Sequence, residues 1–215
     1  MPGPQFRDRR DAGRVLARVL SAYARRPDVR VLGLVPGGVP VALEVAEALG
    51  AALDVYLVRR LAVPGHADYA MGAVASGGTR LRNDNVVRLL GLDDADVQAA
   101  AESARREIDA RERALRDDRP PLDVERCSVV LVDDGLAETA TLLAAVKTLR
   151  ALRPARIVLA LPAVAMEACA ALRHEADEVV SARPPEPAGA AAPRYEDEGL
   201  PEDGTVRDWL VHATA

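Results

Sequence analysis

Two adjacent carboxylates followed by small and hydroxyl-bearing residues form the segment with the clearest chemical potential. Residues 129–141 read VVLVDDGLAETAT, so an apolar run leads directly into Asp133 and Asp134. Carboxylates accept hydrogen bonds from vicinal hydroxyls, whereas backbone N–H groups and threonine hydroxyls at the start of a helix bind phosphate. The segment therefore predicts a sugar-phosphate site between a buried strand and a helix.

The same residues also have a simpler interpretation. Asp-Asp-Gly is typical of a tight turn, and an aspartate in such a turn can cap a helix without binding any ligand. These few residues leave both interpretations open.

The elements around this segment alternate short apolar runs with stretches of helical periodicity. This pattern predicts an α/β fold with a central parallel sheet covered by helices on both faces. The predicted strands are residues 31–35, 53–58, 127–132, 157–161 and 178–181. The predicted helices are residues 41–49, 93–116, the segment from the acidic loop to about 150, 166–173 and 206–211, with an amphipathic segment at 7–24.

Ligands of such sheets bind beyond the carboxyl ends of the strands. The loops predicted to lie there are residues 36–38, 59–65, 133–141 and the turn after residue 161. Residues 70–81 have a weaker pattern and are predicted to form a hairpin or a mobile loop.

Length and composition exclude several classes of protein. The chain has 215 residues, which suits one domain with an elaboration, and its formal charge is −5. No overall basic field attracts nucleic acid or anionic lipid, and the sequence has no apolar run long enough for a membrane span or a signal peptide. Two cysteines cannot build a disulfide framework. We therefore expect a cytoplasmic protein that partners neither nucleic acid nor membrane.

Several motifs follow one another in a recognisable order. They are FRDR with AG (residues 6–9 and 12–13), VPGGVPV (35–41), VRRL with VPG (58–61 and 63–65), AMGA with SGG (70–73 and 76–78) and VDDGLAETAT (132–141). Together they resemble the type I phosphoribosyltransferases, in particular the stand-alone branch whose acidic loop usually reads VDDGLATGAT. The resemblance covers most of the chain.

This resemblance implies a fold. It predicts a single domain over residues 1–215, with a central parallel sheet of about five strands flanked by helices. A small hood is expected from about 1–25 and 183–215, and a mobile loop from about 66–82. The resemblance also suggests a homodimer.

The resemblance implies a reaction as well, namely Mg²⁺-dependent transfer of a 5-phosphoribosyl group from phosphoribosyl pyrophosphate to a nucleobase-like nitrogen acceptor, with release of pyrophosphate. Asp133 and Asp134 would be the catalytic pair: they would bind the ribose hydroxyls, offset positive charge at the anomeric carbon and reach Mg²⁺ indirectly. The implied donor-binding residues are Gly37, Gly38, Arg59 and Arg60 for the pyrophosphate, and Gly135, Leu136, Ala137, Glu138, Thr139, Ala140 and Thr141 for the 5-phosphate.

The acidic loop departs from the family pattern at two positions, because Glu138 and Thr139 replace the usual Thr-Gly. A carboxylate about 5 Å from a phosphate charge costs roughly 3 kcal/mol at an effective dielectric constant near 20. Its benefit at a helix N-terminus is only about 0.3–1 kcal/mol. Unless Glu138 turns outward or is protonated, repulsion is therefore the larger effect.

The sequence departs from the family pattern at three further positions. Gly37 stands where the group usually has arginine, Arg60 stands where it has lysine, and Ala137 stands where some relatives have an acidic general base. The segment Tyr195-Glu196-Asp197 is predicted to be a surface tether, with the lining of an acceptor pocket as the alternative.

Three hypotheses stay open. The chain is an active transferase with Glu138 turned to solvent, or a transferase whose donor carries a different or absent 5-substituent, or a non-catalytic relative that binds a nucleotide or a partner protein. No motif in the predicted hood identifies the acceptor.

Overall fold

A five-stranded parallel sheet and a separate three-stranded antiparallel sheet organise the chain. They are present in a computed structural model that describes residues 5–117, 119–187, 193 and 195–213. The strands are β1 (Val29–Leu34), β2 (Ala52–Tyr56), β3 (Val58–Val63), β4 (His66–Ala75), β5 (Arg80–Arg82), β6 (Ser128–Val132), β7 (Arg156–Leu161) and β8 (Glu178–Ser181). The helices are α1 (Arg9–Val19), α2 (Gly38–Leu49), α3 (Asp84–Leu90), α4 (Asp94–Arg116), α5 (Thr139–Arg150), α6 (Met166–Leu172) and α7 (Asp203–His212).

The strand order of the parallel sheet contains a switch point. The order is β2-β1-β6-β7-β8, so the chain leaves β1 toward one edge and later leaves β6 toward the other. Where the direction of winding reverses, the loops after two neighbouring strands diverge, and ligands of such sheets bind in the resulting gap. The loops after β1 and β6 begin at Val35 and Asp133, so the acidic segment lies at this switch point.

Apolar side chains cover both faces of the sheet. On one face, Val31, Val130 and Val158 pack with residues of α1, α2 and α7. On the other face, Leu131 and Leu159 pack with residues of α5 and α6. Because both faces are buried, these strands are continuous apolar runs, as the sequence predicts. The predicted α/β fold class is confirmed.

The predicted strand at residues 53–58 is wrong in its extent. Strand β2 ends at Tyr56, and Val58 begins β3 in the antiparallel sheet. The chain changes direction at Leu57, whose N–H donates to the Ser76 hydroxyl and whose carbonyl accepts from the Ser76 N–H. Leu57 is itself buried, so the hydropathy pattern passes through the turn without a break.

The predicted loop at residues 59–65 is also wrong for most of its length, because residues 58–63 form β3. The adjacent segment forms β4 and β5, so residues 70–81 are a hairpin, with a turn at Ser76–Gly78. Helix α3 is not predicted from the sequence. Of the predicted hood, residues 1–4, 188–192, 194, 214 and 215 lie outside the described residues. No helix in the described ranges is both long enough and apolar enough to cross a membrane.

Helices α1 and α2 cross closely at Gly13. A Cβ atom at this position would lie 2.6 Å from the Val41 carbonyl oxygen and 2.8 Å from the Glu44 Cβ. These distances are shorter than van der Waals contact, and the carbonyl belongs to backbone that cannot rotate away. Gly13 therefore sets the spacing that brings the first turn of α1 over the sheet.

We predict that Gly13→Ala lowers the free energy of unfolding by about 1–3 kcal/mol, because the added methyl forces the two helices apart. Urea unfolding followed by circular dichroism measures this change. Gly204→Ala in α7 is the matched control, since nothing lies within 4 Å of a Cβ there. Equal stability of Gly13→Ala and wild type would contradict the close crossing.

Candidate functional site

The twin aspartates occupy the first two positions beyond β6. The Asp133 N–H donates to the Ala160 carbonyl at 3.2 Å, so pairing with β7 continues one step past the strand. Both aspartates are only 5% exposed. The sheet thus delivers two carboxyl groups into a buried position at its carboxyl edge.

The carboxylate of Asp133 is held by its own loop. Its Oδ2 accepts the Gly135 N–H at 2.8 Å and the Ala137 N–H at a longer 3.4 Å. Burial and the neighbouring charge of Asp134 raise the pKa of Asp133 to about 7, against the lowering effect of these N–H groups. Asp133 therefore changes charge near neutral pH.

The carboxylate of Asp134 is held by an arginine from α1 and by its own loop. Its Oδ2 lies 2.9 Å from the Arg9 Nε, and both side chains are buried. Its Oδ1 accepts the Leu136 N–H at 3.0 Å. The Tyr195 hydroxyl donates to the Asp134 carbonyl oxygen at 2.6 Å, and burial raises the pKa of Tyr195, so its hydroxyl keeps its proton.

The sequence does not identify Arg9 as a site residue. Tyr195 is buried and contacts Asp134, so the prediction of a surface tether is wrong for Tyr195. The Arg9 guanidinium lies 5.1 Å from the centre of the Tyr195 ring, and its Nη1 donates to the Glu198 carbonyl oxygen at 2.8 Å. Arg9 belongs to the FRDR motif, but the motif does not indicate which residue Arg9 contacts.

The glycines after β1 are packed against the acidic loop. A Cβ at Gly37 would lie 2.0 Å from the Asp134 Oδ2, and a Cβ at Gly38 would lie 2.4 Å from the Val132 carbonyl oxygen. The family resemblance predicts that both glycines allow a pyrophosphate to approach the backbone closely. In the structure, the loop after β6 already requires them, and a larger residue at 37 would displace Asp134.

The start of α5 presents free N–H groups. Glu138 is the N-cap residue and its side chain makes no capping hydrogen bond, while the N–H groups of Thr141 and Leu142 donate to its carbonyl oxygen. Among the described residues, no acceptor is within hydrogen-bond distance of the N–H groups of Glu138, Thr139 and Ala140. Backbone donors at the start of a 12-residue helix are suited to an anion.

Of the two arginines predicted to neutralise pyrophosphate, the structure brings one to this loop. The Arg60 Nη1 lies 2.8 Å from the Glu138 Oε2, whereas the Arg59 Nη1 lies 3.1 Å from the Glu107 Oε2 on α4. Successive residues of β3 point to opposite faces, so Arg59 and Arg60 cannot both reach the acidic loop. Glu138 is turned outward and is 77% exposed, so its contact with Arg60 contributes little stability, about 0–1 kcal/mol.

The described residues contain no group of three or more His, Cys, Asp or Glu side chains that could enclose a metal ion. The two aspartates are the carboxylates at the switch point. They are suited to an ion that takes most of its ligands from water and substrate oxygens, as Mg²⁺ does.

Known proteins resemble this chain in sequence and in structure. No family model matches it. Two curated relatives, from two strains of Mycobacterium tuberculosis, are each named "Putative phosphoribosyl transferase" and are 42% identical over 175 residues. The match covers 81% of this chain and 39% of each relative, so the chain spans about two fifths of their length.

A crystal structure of a Thermus thermophilus protein matches 98% of this chain and 99% of its own, with 37% identity and a TM-score of 0.83. This chain belongs to the type I phosphoribosyltransferase-like family. The resemblance inferred from the ordered motifs is thereby confirmed. In this phosphoribosyltransferase-like chain, the twin aspartates and the start of α5 form the candidate site, and the residue roles remain predictions.

We predict that Asp133→Asn raises the free energy of unfolding at pH 8 by roughly 1–4 kcal/mol. The folded state binds the Asp133 proton more tightly than the unfolded state, because the pKa rises from 3.8 to about 7. The stability from this proton is complete below about pH 4 and is lost as the pH rises to about 7. The gain of the variant therefore shrinks toward pH 4 in urea unfolding at several pH values.

Asp177→Asn is the control with opposite sign. Despite partial burial, the N–H of Ile157 and the guanidinium of Arg150 hold the pKa of Asp177 below its usual range. Loss of the Asp177 carboxylate is expected to lower the free energy of unfolding at pH 8 and to have a smaller effect at acidic pH. A pH-independent effect of Asp133→Asn would contradict the raised pKa.

Proposed function

We propose that this protein is a phosphoribosyltransferase that moves a 5-phosphoribosyl group from phosphoribosyl pyrophosphate to a nucleobase-like nitrogen acceptor. One observation carries the proposal: the loop after β6 combines two carboxylates with N–H groups at the start of α5 that have no partner among the described residues. Carboxylates that can accept hydrogen bonds from hydroxyls are thus followed by N–H groups that can donate to an anion. Both lie within eight residues, from 133 to 140, at the switch point of the sheet. The names of the curated relatives support the same activity.

Each end of the ribose phosphate has a matching group. Asp133 and Asp134 accept hydrogen bonds from the ribose hydroxyls, and the N–H groups of Glu138, Thr139 and Ala140 receive the 5-phosphate with the threonine hydroxyls. Arg60 is the cation beside this loop and is a candidate for phosphate or pyrophosphate contact once it releases Glu138. Gly37 and Gly38 have no side chains, so the pyrophosphate can approach the backbone of the loop after β1.

The reaction places positive charge near the two carboxylates. The bond from the anomeric carbon to a pyrophosphate oxygen breaks, the electron pair leaves with pyrophosphate, and the acceptor nitrogen bonds to the carbon and releases its proton to solvent. Ionised Asp133 and Asp134 stabilise the cation-like carbon during this exchange. Mg²⁺ bound with the donor supplies neutralisation of the pyrophosphate charge, and these aspartates would hold it through water or the ribose hydroxyls.

The orientation of Glu138 favours a phosphorylated donor over one with an altered 5-substituent. Its carboxylate contacts Arg60 and does not cap the helix, so it leaves the free N–H groups to an anion. The near-complete burial of both aspartates supports a second candidate function, a non-catalytic relative that binds a nucleotide or a partner. A homodimer is a further proposal and rests on the family resemblance.

We predict that wild-type protein binds phosphoribosyl pyrophosphate in the presence of Mg²⁺ and that Asp133→Asn/Asp134→Asn weakens this binding at least about tenfold, because two charged acceptors are lost. Isothermal titration calorimetry measures the affinity, and release of pyrophosphate across a broad panel of nitrogen bases tests the activity. Donor affinity equal to wild type in the double variant would remove the ribose assignment. Binding without pyrophosphate release from any base would favour the non-catalytic candidate.

We further predict that Glu138→Thr/Thr139→Gly tightens donor binding about tenfold or more, because it removes a negative charge beside the phosphate and frees Arg60. Glu107→Thr is the matched control: it releases the neighbouring Arg59 from a similar exposed contact on the far face of β3. Calorimetry under identical conditions compares the two. Equal gains in both variants would show that general charge, and not the phosphate loop, determines the affinity.

A further inference from the structure

We infer that Arg9 is a positioning residue for donor recognition, which fixes the orientation of the Asp134 carboxylate so that the aspartate pair can accept the ribose hydroxyls. This inference rests on the proposed function. It concerns a residue at the start of α1, separated by 125 positions from the carboxylate that it contacts.

The contact between Arg9 and Asp134 is buried and well defined. The Arg9 and Asp134 side chains are 6% and 7% exposed, so neither charge is shared with bulk water. The same guanidinium donates to the Glu198 carbonyl oxygen and lies over the Tyr195 ring. Because these contacts come from a different segment than Asp134, the guanidinium cannot rotate without breaking several of them.

Arg9 also determines where the two Asp134 oxygens point. Oδ2 is held between the Arg9 Nε and the surface of Gly37, and Oδ1 is held by the Leu136 N–H. An ionised carboxylate has about four acceptor sites, so these two bonds leave capacity for a hydroxyl. Without Arg9, Oδ2 has lost its charged partner and the side chain is free to turn.

The pairing also has an electrostatic reason. Two buried carboxylates side by side need a nearby cation. The Arg9 guanidinium contacts Asp134 where both aspartates are buried, so it places a positive charge beside the pair.

The test compares Arg9→Gln, Arg9→Lys and the control Arg14→Gln. Arg14 lies on the same helix, and its exposed guanidinium is 3.4 Å from the Glu44 carboxylate, away from the acidic loop. Calorimetry measures the affinity for phosphoribosyl pyrophosphate with Mg²⁺ at pH 7, and thermal unfolding verifies that each variant is folded at the temperature used.

We expect Arg9→Gln to weaken donor binding at least about tenfold, because the Asp134 Oδ2 loses the charged partner that fixes its direction. Arg9→Lys restores part of the affinity because it restores the charge, and Arg14→Gln matches wild type. If Arg9 had a merely structural role, lysine would not relieve the loss of affinity. That outcome, or wild-type affinity in Arg9→Gln, overturns the inference.

A ligand-free measurement separates this inference from the proposed function. Crystal structures of wild type, Arg9→Gln and Arg14→Gln without donor show where the Asp134 carboxylate points. The carboxylate is expected to leave its wild-type direction in Arg9→Gln and to keep it in Arg14→Gln. An unchanged Asp134 in Arg9→Gln overturns the inference, whereas a displaced Asp134 in a protein that binds no donor overturns the proposed function and confines Arg9 to positioning the carboxylate.

Discussion

Two carboxylates buried side by side at the end of a strand repel each other and both lose the solvation that water provides. In this protein the surrounding structure is arranged to offset that cost. The N–H groups of Gly135, Leu136 and Ala137 donate to the carboxylates, and Arg9 supplies one buried positive charge. The turn after β6, the glycine at 37 and the approach of α1 and the C-terminal segment to this point all serve to hold the two aspartates in place.

The sheet topology explains why these groups meet. Because β1 and β6 are neighbours with connections that leave in opposite directions, the loops after both strands meet at the switch point of the sheet, where α5 begins. The same arrangement divides the backbone donors of the acidic loop between two tasks. Those nearest the strand donate to the aspartates, whereas those of residues 138–140 have no partner among the described residues. In the proposed function, the ribose and the 5-phosphate would therefore bind at different places along a single loop.

The two substitutions in the phosphate loop have different physical consequences. The charge of Glu138 is turned to Arg60 on β3, so its repulsion toward an anion is partly screened by an exposed ion pair of small energy. Thr139 occupies the first helical position, where its N–H is unpaired among the described residues and its hydroxyl adds a donor. The loop therefore keeps its backbone donors while it changes its side-chain charge.

Local patterns in the sequence were sufficient for much of the fold and for the acidic loop. Strands such as β6 and β7 are buried on both faces and appear as apolar runs, and the Asp-Asp-Gly turn before α5 has its own chemical signature. The turn at Leu57 was not predicted, because a buried residue at a turn does not interrupt the apolar run in the sequence. The contacts of the site residues were decided by the tertiary structure. The sequence identified Asp133 and Asp134, but the partner of Asp134 lies 125 positions away and Tyr195 lies 61 positions away. The separation of Arg59 from Arg60 depended on β3 being a strand, since only then do adjacent side chains point to opposite faces. Periodicity and turn chemistry act over a few residues, whereas a buried charge is paired by whichever distant segment the fold brings against it.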